Sequence, residues 1–499
     1  MAKQHSFSLG PLDHYARSCY PCFCFYFGLS EDAGPETAFA GLQDGLRQTL
    51  KQHPWLNGTV HLQSSDQPGW RPGQLEVRYH QLDEEGDEEL PQFRFKQLET
   101  DLEYEDLEDT GFPLGTFADD ELMWMPLFAP VDADNSPTVL AAQANFLPGG
   151  CLLTLCLNHT VCDGTAAFDV WKLWAAHCHA LQGGPPAEVQ GPESADRALI
   201  DDIWKREGSG RAVSDLGLEV WKMVDLEPPQ LGANKESKSE SEVKPPASPA
   251  AQAPQLQAAT FHVSKSQFSE LRQQCIDGSK SELSSGLSGM DALCALIWRS
   301  LAKAHRLAAI QSGRVAGEDV AALDVLGAQL HMALDGRPNY SNAIPAPYLG
   351  NLTLINQCHR TLAALTADST SLGHVAVDIR AVADSATHEA LLDAYAVARG
   401  VQDLSILPHG RGLAAFDNVI SSLLMYPFDD LQLGGQHWVN GGKPQAIRPL
   451  MEQWNSSGRI CFVLPRKRNG SVEFVLNALP DEMALLIRDV DFSCFATCF

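Results

Sequence analysis

The stretch Leu157–Phe168, LNHTVCDGTAAF, lies where the sequence pattern changes from a strand to a helix. Upstream, GGCLLTLCLNH (Gly149–His159) is apolar at nearly every position, which is typical of a central strand buried on both faces. Downstream of Gly164, apolar residues recur at helical spacing. His159 is therefore predicted to end a buried strand, on the turn that leads into a helix.

His159 and Asp163 have two interpretations from the residues alone. A histidine at the end of a rigid strand can reach a cavity, and its ordinary pKa near ~6.5 suits a general base at neutral pH. Asp163 could orient the ring, or it could tie the turn to a distant arginine. Gly164 fits a tight turn that needs a positive φ. Because most buried histidines beside an aspartate are structural, the pair alone favours a structural role.

Several other reaction classes lack support in the sequence. GLSGMDA (Gly286–Ala292) carries only Gly-x-Ser-Gly, and no Gly-x-Ser-x-Gly elbow of a serine hydrolase occurs. Neither a Walker loop nor Gly-x-Gly-x-x-Gly occurs, which argues against phosphoryl transfer and nicotinamide chemistry. Cys19, Cys22 and Cys24 form a cluster, but no histidine–cysteine pair with zinc spacing lies nearby, so no metal site is predicted.

Composition bounds the class of protein. The 499 residues are 44% hydrophobic and 20% charged, which indicates a globular chain of two domains. The formal net charge of −27 argues against a nucleic-acid partner or an anionic membrane surface. The 13 cysteines, an odd number without framework spacing, indicate reduced thiols and a cytoplasmic location. No apolar run is long enough to span a membrane. With no coiled-coil pattern, we expect a monomer.

One composition break divides the chain. NKESKSESEVKPPASPAAQAPQ (Asn234–Gln255) is rich in Ser, Pro, Ala and charge, and cannot bury a face. We therefore predict a first domain over residues 1–233, a flexible linker over 234–257 and a second domain over 258–499. Strands and helices mix without strict βαβ alternation, which predicts an α/β to α+β fold with mixed sheets.

The predicted elements follow from periodicity and capping signals. Ser264 and Gln267 form a Ser-x-x-Gln capping box at the start of a helix. Helices are also predicted at Glu36–Gln52 and Met290–His305. Strands are predicted at Tyr20–Phe27, Gly58–Leu62, Gln74–Tyr79, Thr138–Leu147, Gly149–His159, Ala259–Val263, Val320–Leu326, Arg459–Pro465 and Val472–Asn477.

The turn HTVCDG (His159–Gly164) resembles the HxxxDG motif of the BAHD acyl-CoA-dependent acyltransferases. Four further segments resemble this family in the same order along the chain: HPWLNGTV (His53–Val60), GMDALCALIWRSLAKAHR (Gly289–Arg306), ALDGRPNYSNAIPAPYLGN (Ala333–Asn351) and GRICFVLPRKRNGSVEFVLNALPDEMALL (Gly458–Leu486). The linker and an acidic insert, Asp83–Asp109, are more similar to the fungal, trichothecene-acetyltransferase-like branch than to the plant branch.

The resemblance implies a fold and a mechanism. The fold would be two chloramphenicol-acetyltransferase-like domains with a substrate tunnel between them. His159 would act as general base in a ternary complex, without a bound cofactor. Acyl-CoA, most simply acetyl-CoA, would be the co-substrate, and a small hydroxylated metabolite the acceptor. Asp163 would be structural and would pair with an arginine, for which Arg337 is the matching position.

The resemblance also implies residues for coenzyme A. Ser288 matches a family position near the pantetheine arm. The phosphates need cationic partners, and local basic clusters stand out in so acidic a chain. The predicted coenzyme A residues are Ser288, Lys443, Arg448, Arg466 and Lys467.

The chain departs from the family at its second signature, DFGWG. Gln432 and Leu433 replace the aspartate and phenylalanine, while Gly434 is kept. Leu423 stands where many members have tryptophan. The loss could affect only local order, or it could remove a donor to the oxyanion, which costs about 10²–10³ in rate.

Two alternatives to acyl transfer follow from this departure. One is a metabolite-binding pseudo-enzyme that keeps the tunnel. The other is condensation or cyclisation chemistry on the same fold. Related condensation domains carry two adjacent histidines, whereas here Asn158 precedes His159, which weakens the second alternative.

Overall fold

The computed structural model describes residues 3–16, 18–82, 89–228, 255–279, 285–313, 320–407 and 416–499. Its strands are β1 (His5–Ser8), β2 (Phe23–Gly28), β3 (Thr59–Leu62), β4 (Leu75–Tyr79), β5 (Phe93–Gln97), β6 (Leu140–Leu147), β7 (Gly150–Leu157), β8 (Gln257–Val263), β9 (Gly327–Asp335), β10 (Thr353–Thr361), β11 (Asn418–Ser422), β12 (Ala446–Pro449), β13 (Ile460–Val463), β14 (Val472–Ala478) and β15 (Thr497–Cys498).

The α-helices are distributed over both halves of the chain. They are α1 (Pro35–Gln52), α2 (Tyr104–Asp109), α3 (Asp119–Leu122), α4 (Gly164–Leu181), α5 (Ala198–Glu207), α6 (Leu218–Lys222), α7 (Lys265–Gly278), α8 (Gly289–Gln311), α9 (Val320–Asp324), α10 (Arg337–Tyr340), α11 (Leu362–Thr366), α12 (Leu372–Asp384), α13 (His388–Gly400), α14 (Glu452–Asn455), α15 (Pro480–Arg488) and α16 (Val490–Ser493).

Strand β7 is the centre of the first large sheet, whose order is β12-β2-β7-β6-β5. Every residue of β6 and β7 is buried, as the continuous apolar runs predict. The two strands pair antiparallel through a hairpin in which Gly149 has a φ of 78°. Helices α1 and α4 pack on this sheet, where Trp174 donates its indole N–H to the Leu42 carbonyl at 2.8 Å. The packed sheet gives His159 a rigid support.

The second large sheet has seven strands in the order β10-β9-β11-β13-β14-β8-β15. Strand β11 runs parallel to both its neighbours, β9 and β13, and the other pairs are antiparallel. Helix α8 supplies the core of this unit, with sixteen buried residues that include the fully buried Trp298. The sheet is therefore mixed, as predicted.

Strand β12 connects the two halves of the chain. This strand belongs to the second half of the chain, yet it pairs antiparallel with β2, with Ile447 opposite Phe25. The domain boundary along the chain therefore does not separate the two sheets in space. Most of the predicted linker lies outside the described residues, but its last residue, Gln257, already pairs with Ala478 in the second sheet.

Most predicted elements are confirmed, with ends displaced by a few residues. The capping box is present, because Ser264 accepts from the Gln267 N–H and Gln267 accepts from the Ser264 N–H. The strand predicted at Val320–Leu326 is wrong: this segment forms α9 and a turn, and β9 begins at Gly327. The prediction failed because a short apolar run has no distinctive period. The alternation of buried residues that marks a strand starts only within β9.

Candidate active site

The turn between β7 and α4 carries the predicted motif. The Asn158 carbonyl accepts from the N–H groups of Val161 and Cys162, at 2.9 and 3.1 Å, and so reverses the chain after the strand. Asp163 then caps α4, with its carboxylate accepting from the Ala166 N–H at 3.0 Å. The motif therefore forms a strand, a tight turn and a capped helix, as the sequence predicts.

His159 lies at the exit of this strand with its ring half-buried. Its backbone N–H donates to the Cys19 carbonyl at 2.8 Å. No described residue bonds to its buried Nδ1 atom. Burial lowers the pKa of the imidazole from its ordinary value, while the charge of Asp163 opposes the shift. The lowered pKa favours the neutral ring, and no carboxylate among the described residues pairs with it, an arrangement that suits acceptance of a proton.

Asp163 is fully buried and uses its oxygens on other groups. Its two oxygens accept from Arg337 Nη1 and Nη2 at 3.0 and 2.9 Å, in the forked geometry of a strong pair. The Leu352 N–H and the Thr353 hydroxyl also donate to it, at 2.8 and 3.1 Å. Burial would raise the pKa of Asp163, but Arg337 and the hydrogen bonds outweigh burial and hold the pKa below its ordinary value. Of the two interpretations, the structure shows the tie to an arginine.

Gly164 differs from its prediction. It is the first residue of α4 and does not have a positive φ, because Asp163 makes the turn as the cap and Gly164 already belongs to the helix. A Cβ atom here would lie 3.3 Å from the Tyr426 hydroxyl. That hydroxyl is also 3.0 Å from Thr165 Oγ1. The close approach of Tyr426, and not backbone strain, explains the glycine.

Two of the predicted coenzyme A residues, the buried Arg448 and the exposed Lys467, pair with the buried Glu473. Arg448, 3% exposed, donates to Glu473 at 3.1 Å and to the backbone carbonyls of Phe112, Ile447 and Gly111. Lys467 pairs with the same glutamate. Glu473 is itself buried, so these cations neutralise it. The role of Arg448 in this arrangement is structural.

Ser288 and Arg466 lie close together at the start of α8. Ser288 caps this 23-residue helix, and its hydroxyl donates to Asp291 at 2.8 Å. Arg466 is exposed and lies over the Phe268 ring, 4.8 Å from its centroid. The same ring packs so tightly on Gly289 that a Cβ there would lie 2.3 Å from it.

Two further arginines meet this helix end, and the sequence did not single them out. Arg272 donates to the Leu287 carbonyl at 2.6 Å, and Arg380 lies 3.5 Å from Asp291. They come from α7 and α12, so only the packing of three helices brings them together. Together with Arg466, they bring cations to the side of the positive end of the α8 dipole, where the Asp291 carboxylate also lies.

The residues that replace DFGWG form a tight, buried turn. Leu433 and Gly434 are buried, and Gly434 has a φ of 96°. Gln182, at the end of α4, donates to the Leu433 carbonyl at 2.6 Å and accepts from the Gln436 N–H at 2.8 Å. Gln432 itself is half-buried. A side chain from the motif helix thus holds this turn.

Lys443 and Leu423 complete the predicted set. Lys443 is half-buried, ten residues after Leu433. Leu423 is buried, and its backbone N–H donates to the Val463 carbonyl at 2.8 Å. Its hydrocarbon side chain offers no hydrogen-bond donor in the place of the family's tryptophan.

The described part of the chain also has cavities. One of about 940 Å³ opens beside α10 and is lined by residues that include Asn339, Arg380 and His388, but not His159. The described residues contain no cluster of three metal-ligating side chains. Within the same ranges, no helix has both the length and the apolar character to cross a bilayer.

Comparison with known proteins supplies the family. The model of the Transferase family matches residues 99–492, and that of the trichothecene 3-O-acetyltransferase-like N-terminal domain matches residues 19–178. The eremophilane O-acetyltransferase prx11 of Penicillium rubens is 26% identical, over 97% of this chain and 97% of its own length. The isocyanide synthase-NRPS hybrid crmA of Aspergillus fumigatus is 27% identical over 99% of this chain, which spans only 32% of that protein.

Solved structures agree on the fold. TRI101 of F. sporotrichioides, complexed with coenzyme A and T-2, superposes with a TM-score of 0.72 at 18% identity, covering 99% of both chains. Vinorine synthase gives a TM-score of 0.57 at 14% identity, over 98% of this chain and 94% of its own. The chain belongs to the Transferase family of BAHD acyl-CoA-dependent acyltransferases and has their two-domain fold.

Proposed function

We propose that this chain transfers an acyl group, most simply acetyl, from acyl-CoA to a hydroxyl of a small secondary metabolite, with His159 as general base. The observation that carries the proposal is the state of His159. Its ring is half-buried, its pKa is lowered by burial, and Asp163 is fully occupied with Arg337. A neutral imidazole on a rigid strand end meets the first requirement for a base at neutral pH.

The reaction needs no covalent acyl-enzyme. His159 takes the proton of the acceptor hydroxyl while the hydroxyl oxygen attacks the thioester carbonyl, which forms a tetrahedral oxyanion. The oxyanion collapses, the C–S bond breaks, and the coenzyme A thiolate takes the proton from the imidazolium. The products are an ester and free coenzyme A. Holding both substrates in one complex supplies much of the rate, because it replaces a bimolecular encounter by a positioned one.

The start of α8 is the proposed place of the coenzyme A phosphates. Arg466 is exposed there, Ser288 caps the helix, and Arg272 and Arg380 lie beside it. The cavity beside α10 shares Arg380 with this region. We leave Arg448 out of this site because its guanidinium is buried and bonded. Lys467, whose ammonium is bonded to Glu473, and Lys443 remain secondary candidates.

The relatives support transfer to a hydroxyl. The Penicillium relative is named as an O-acetyltransferase of eremophilane, and the TRI101 complex holds coenzyme A together with T-2. We therefore propose a terpenoid-like, hydroxylated acceptor. Condensation chemistry is less favoured, because Asn158 is buried and its amide nitrogen lies 3.3 Å from both the Ser18 and Tyr20 hydroxyls. Asn158 is thus a structural side chain.

Calorimetry tests the proposal before the acceptor is known. Coenzyme A and acetyl-CoA are titrated into the wild type, His159→Ala and Arg466→Met, and ester formation with a panel of hydroxylated terpenoids is then followed by mass spectrometry. We expect micromolar binding to the wild type and to His159→Ala, weaker binding to Arg466→Met, and a loss of at least a hundredfold in turnover for His159→Ala.

Two other outcomes contradict the proposal. If neither coenzyme A nor acetyl-CoA binds the wild type, the chain lacks its donor, and the metabolite-binding alternative takes its place. If His159→Ala keeps its turnover, His159 is not the base.

A further inference from the structure

Three successive backbone carbonyls of the turn after β7 point to buried side-chain donors. Asn351 donates through Nδ2 to the carbonyls of His159 and Thr160, at 3.0 and 3.1 Å. Arg197 donates through Nη2 to the Val161 carbonyl at 2.8 Å. Loops seldom bury their carbonyls so completely, since each must find a partner. These bonds therefore fix the backbone that carries the His159 ring.

Asp13 holds both donors in place. One carboxylate oxygen accepts from the Asn351 side chain at 2.9 Å and from its backbone N–H at 3.2 Å. The other oxygen accepts from the Gly10 N–H at 2.7 Å and lies 3.2 Å from Arg197 Nε. Asp13 thus connects the Asn351 amide, which bonds the His159 carbonyl, with the Arg197 guanidinium, which bonds the Val161 carbonyl.

All three side chains are buried and come from distant parts of the chain. Asp13, Arg197 and Asn351 are 1%, 7% and 5% exposed. They lie in the 3₁₀ helix Pro11–Tyr15, just before α5, and just before β10. A charged pair that is excluded from water costs free energy unless further hydrogen bonds satisfy it, and here the bonds to Asn351, Gly10 and the turn carbonyls do so for the Asp13 carboxylate and Arg197 Nη2. Such an arrangement indicates a specific positional role.

The Asp13–Arg197 ion pair contacts the same segment as the Asp163–Arg337 pair. The guanidinium groups of Arg197 and Arg337 both approach the Tyr348 ring, 5.9 and 5.7 Å from its centroid. Arg337 also donates to the Gly350 carbonyl at 2.7 Å. The segment before β10 therefore contacts both buried ion pairs, and each pair contacts one end of the turn that follows β7.

We propose that Asp13 is a positioning residue for His159, and that it acts through Asn351 and Arg197. The inference rests on the proposed function, since it concerns the residue assigned there as base. Asp163 and Arg337 fix the helix end of the turn, and Asp13 fixes the histidine end. A displacement of about 1 Å at a reacting group can lower a rate 10²-fold, so a loosened turn leaves the fold intact and the base misplaced.

Asn351→Ala tests the proposal, with Asn145→Ala as its matched control. Asn145 is also fully buried, and its amide donates to two backbone carbonyls, those of Leu122 and Leu152, at 3.0 and 2.9 Å. It pairs with Leu152 on β7, seven residues or roughly 23 Å along the chain from His159. Both variants lose two hydrogen bonds from a buried amide to backbone carbonyls, so both should melt at a lower temperature. Asn351→Ala also loses the bond to the Asp13 carboxylate and should melt at the lower temperature of the two.

The His159 ring resonances in ¹H–¹⁵N spectra distinguish the two variants, and His159→Ala assigns them. We expect these resonances to shift and broaden in Asn351→Ala and to coincide with the wild type in Asn145→Ala. Hydrolysis of acetyl-CoA, or transfer to any acceptor found, should fall at least tenfold in kcat for Asn351→Ala, with KM for acetyl-CoA within about twofold. Unchanged ring resonances in Asn351→Ala would overturn the proposal.

Asp13→Asn completes the test. If Asp13 acts through Asn351, Asp13→Asn shifts the same His159 ring resonances. The double variant, Asp13→Asn with Asn351→Ala, then shifts them no further than the larger of the two single-variant shifts. If the shifts of the two single variants add in the double variant, Asp13 does not act through Asn351. If Asp13→Asn does not fold, Asn351→Ala still decides. Failure of the proposed function is recognised separately, by absent coenzyme A binding or by retained turnover in His159→Ala, whatever the ring resonances do.

Discussion

Arg337 and Asp163 join the two halves of the chain, 174 residues apart, through a forked pair of hydrogen bonds at 2.9 and 3.0 Å. Asp163 caps α4 on the first sheet, and Arg337 follows β9 on the second. The pair therefore connects the start of α4 with the segment that follows β9, close to His159 in the chain.

Asp163→Asn should destabilise the fold strongly. The substitution leaves the buried Arg337 guanidinium with only the partly exposed Asp335, 2.9 Å away, as its counter-charge. The loss in the free energy of unfolding is therefore at most roughly 3–5 kcal/mol. Urea denaturation measures this loss. Asp202→Asn is the control, because its exposed pair with Lys205 at 3.0 Å is screened by solvent and should contribute little to stability. Similar losses in the two variants would contradict a special role for the buried pair.

The contribution of this pair should also depend on pH. The pKa of Asp163 lies below its ordinary value of 3.8, so its carboxylate binds protons less readily in the folded than in the unfolded state. The stability it provides is complete above pH 3.8 and is lost as the pH falls through the folded-state pKa. The difference between wild type and Asp163→Asn in urea should therefore shrink below pH 3.8. A constant difference down to the lowest pH would contradict this assignment.

The pH profile of kcat/KM should report His159. Burial lowers the pKa of this histidine from 6.5, so the neutral base persists on the acid side of that value. We expect the acid limb of the profile, measured with acetyl-CoA and any acceptor found, to have its midpoint below pH 6.5. A midpoint at or above 6.5 would indicate a hydrated ring or a different base.

Gln182→Ala should loosen the turn that replaces DFGWG. It removes the two hydrogen bonds to Leu433 and Gln436, worth about 1 kcal/mol each. We expect a loss of about 1–2 kcal/mol in unfolding free energy and faster hydrogen exchange of the Gln436 N–H. Gln402→Ala, whose exposed amide donates to the Gly400 carbonyl, is the control and should change neither. Unchanged exchange at Gln436 would show that Gln182 does not hold the turn.

Arg448 and Arg466 should separate stability from coenzyme A binding. Arg448→Met leaves the buried Glu473 with Lys467 alone, so the melting temperature falls while the Kd for coenzyme A stays within about twofold. Arg466→Met removes an exposed cation, so melting is unchanged and the Kd rises about tenfold, or ~1.4 kcal/mol. The reverse pattern in calorimetry would return Arg448 to the binding site and remove Arg466 from it.

Local patterns in the sequence were sufficient to predict much of the fold. The apolar run of β7, the helical period of α4 and the cap of α7 depend on neighbours within a few residues, and each is found in the structure. The same reasoning failed at Val320–Leu326, where a short apolar run fits a helix and a strand equally well. Motif order along the chain predicted the family and the pairing of Asp163 with Arg337.

Only the tertiary structure decided which polar residues are buried in ion pairs and which are exposed. Arg448 and Arg466 lie eighteen residues apart and look alike as basic residues, but only packing buries the first against Glu473 and leaves the second exposed beside α8. The sequence by itself determined the strand, the turn and the histidine that follows the strand. The partners of that turn, Asp13 and Asn351, lie in distant segments, and no spacing along the chain reveals them. Long-range electrostatics and burial arise only once the two sheets have packed.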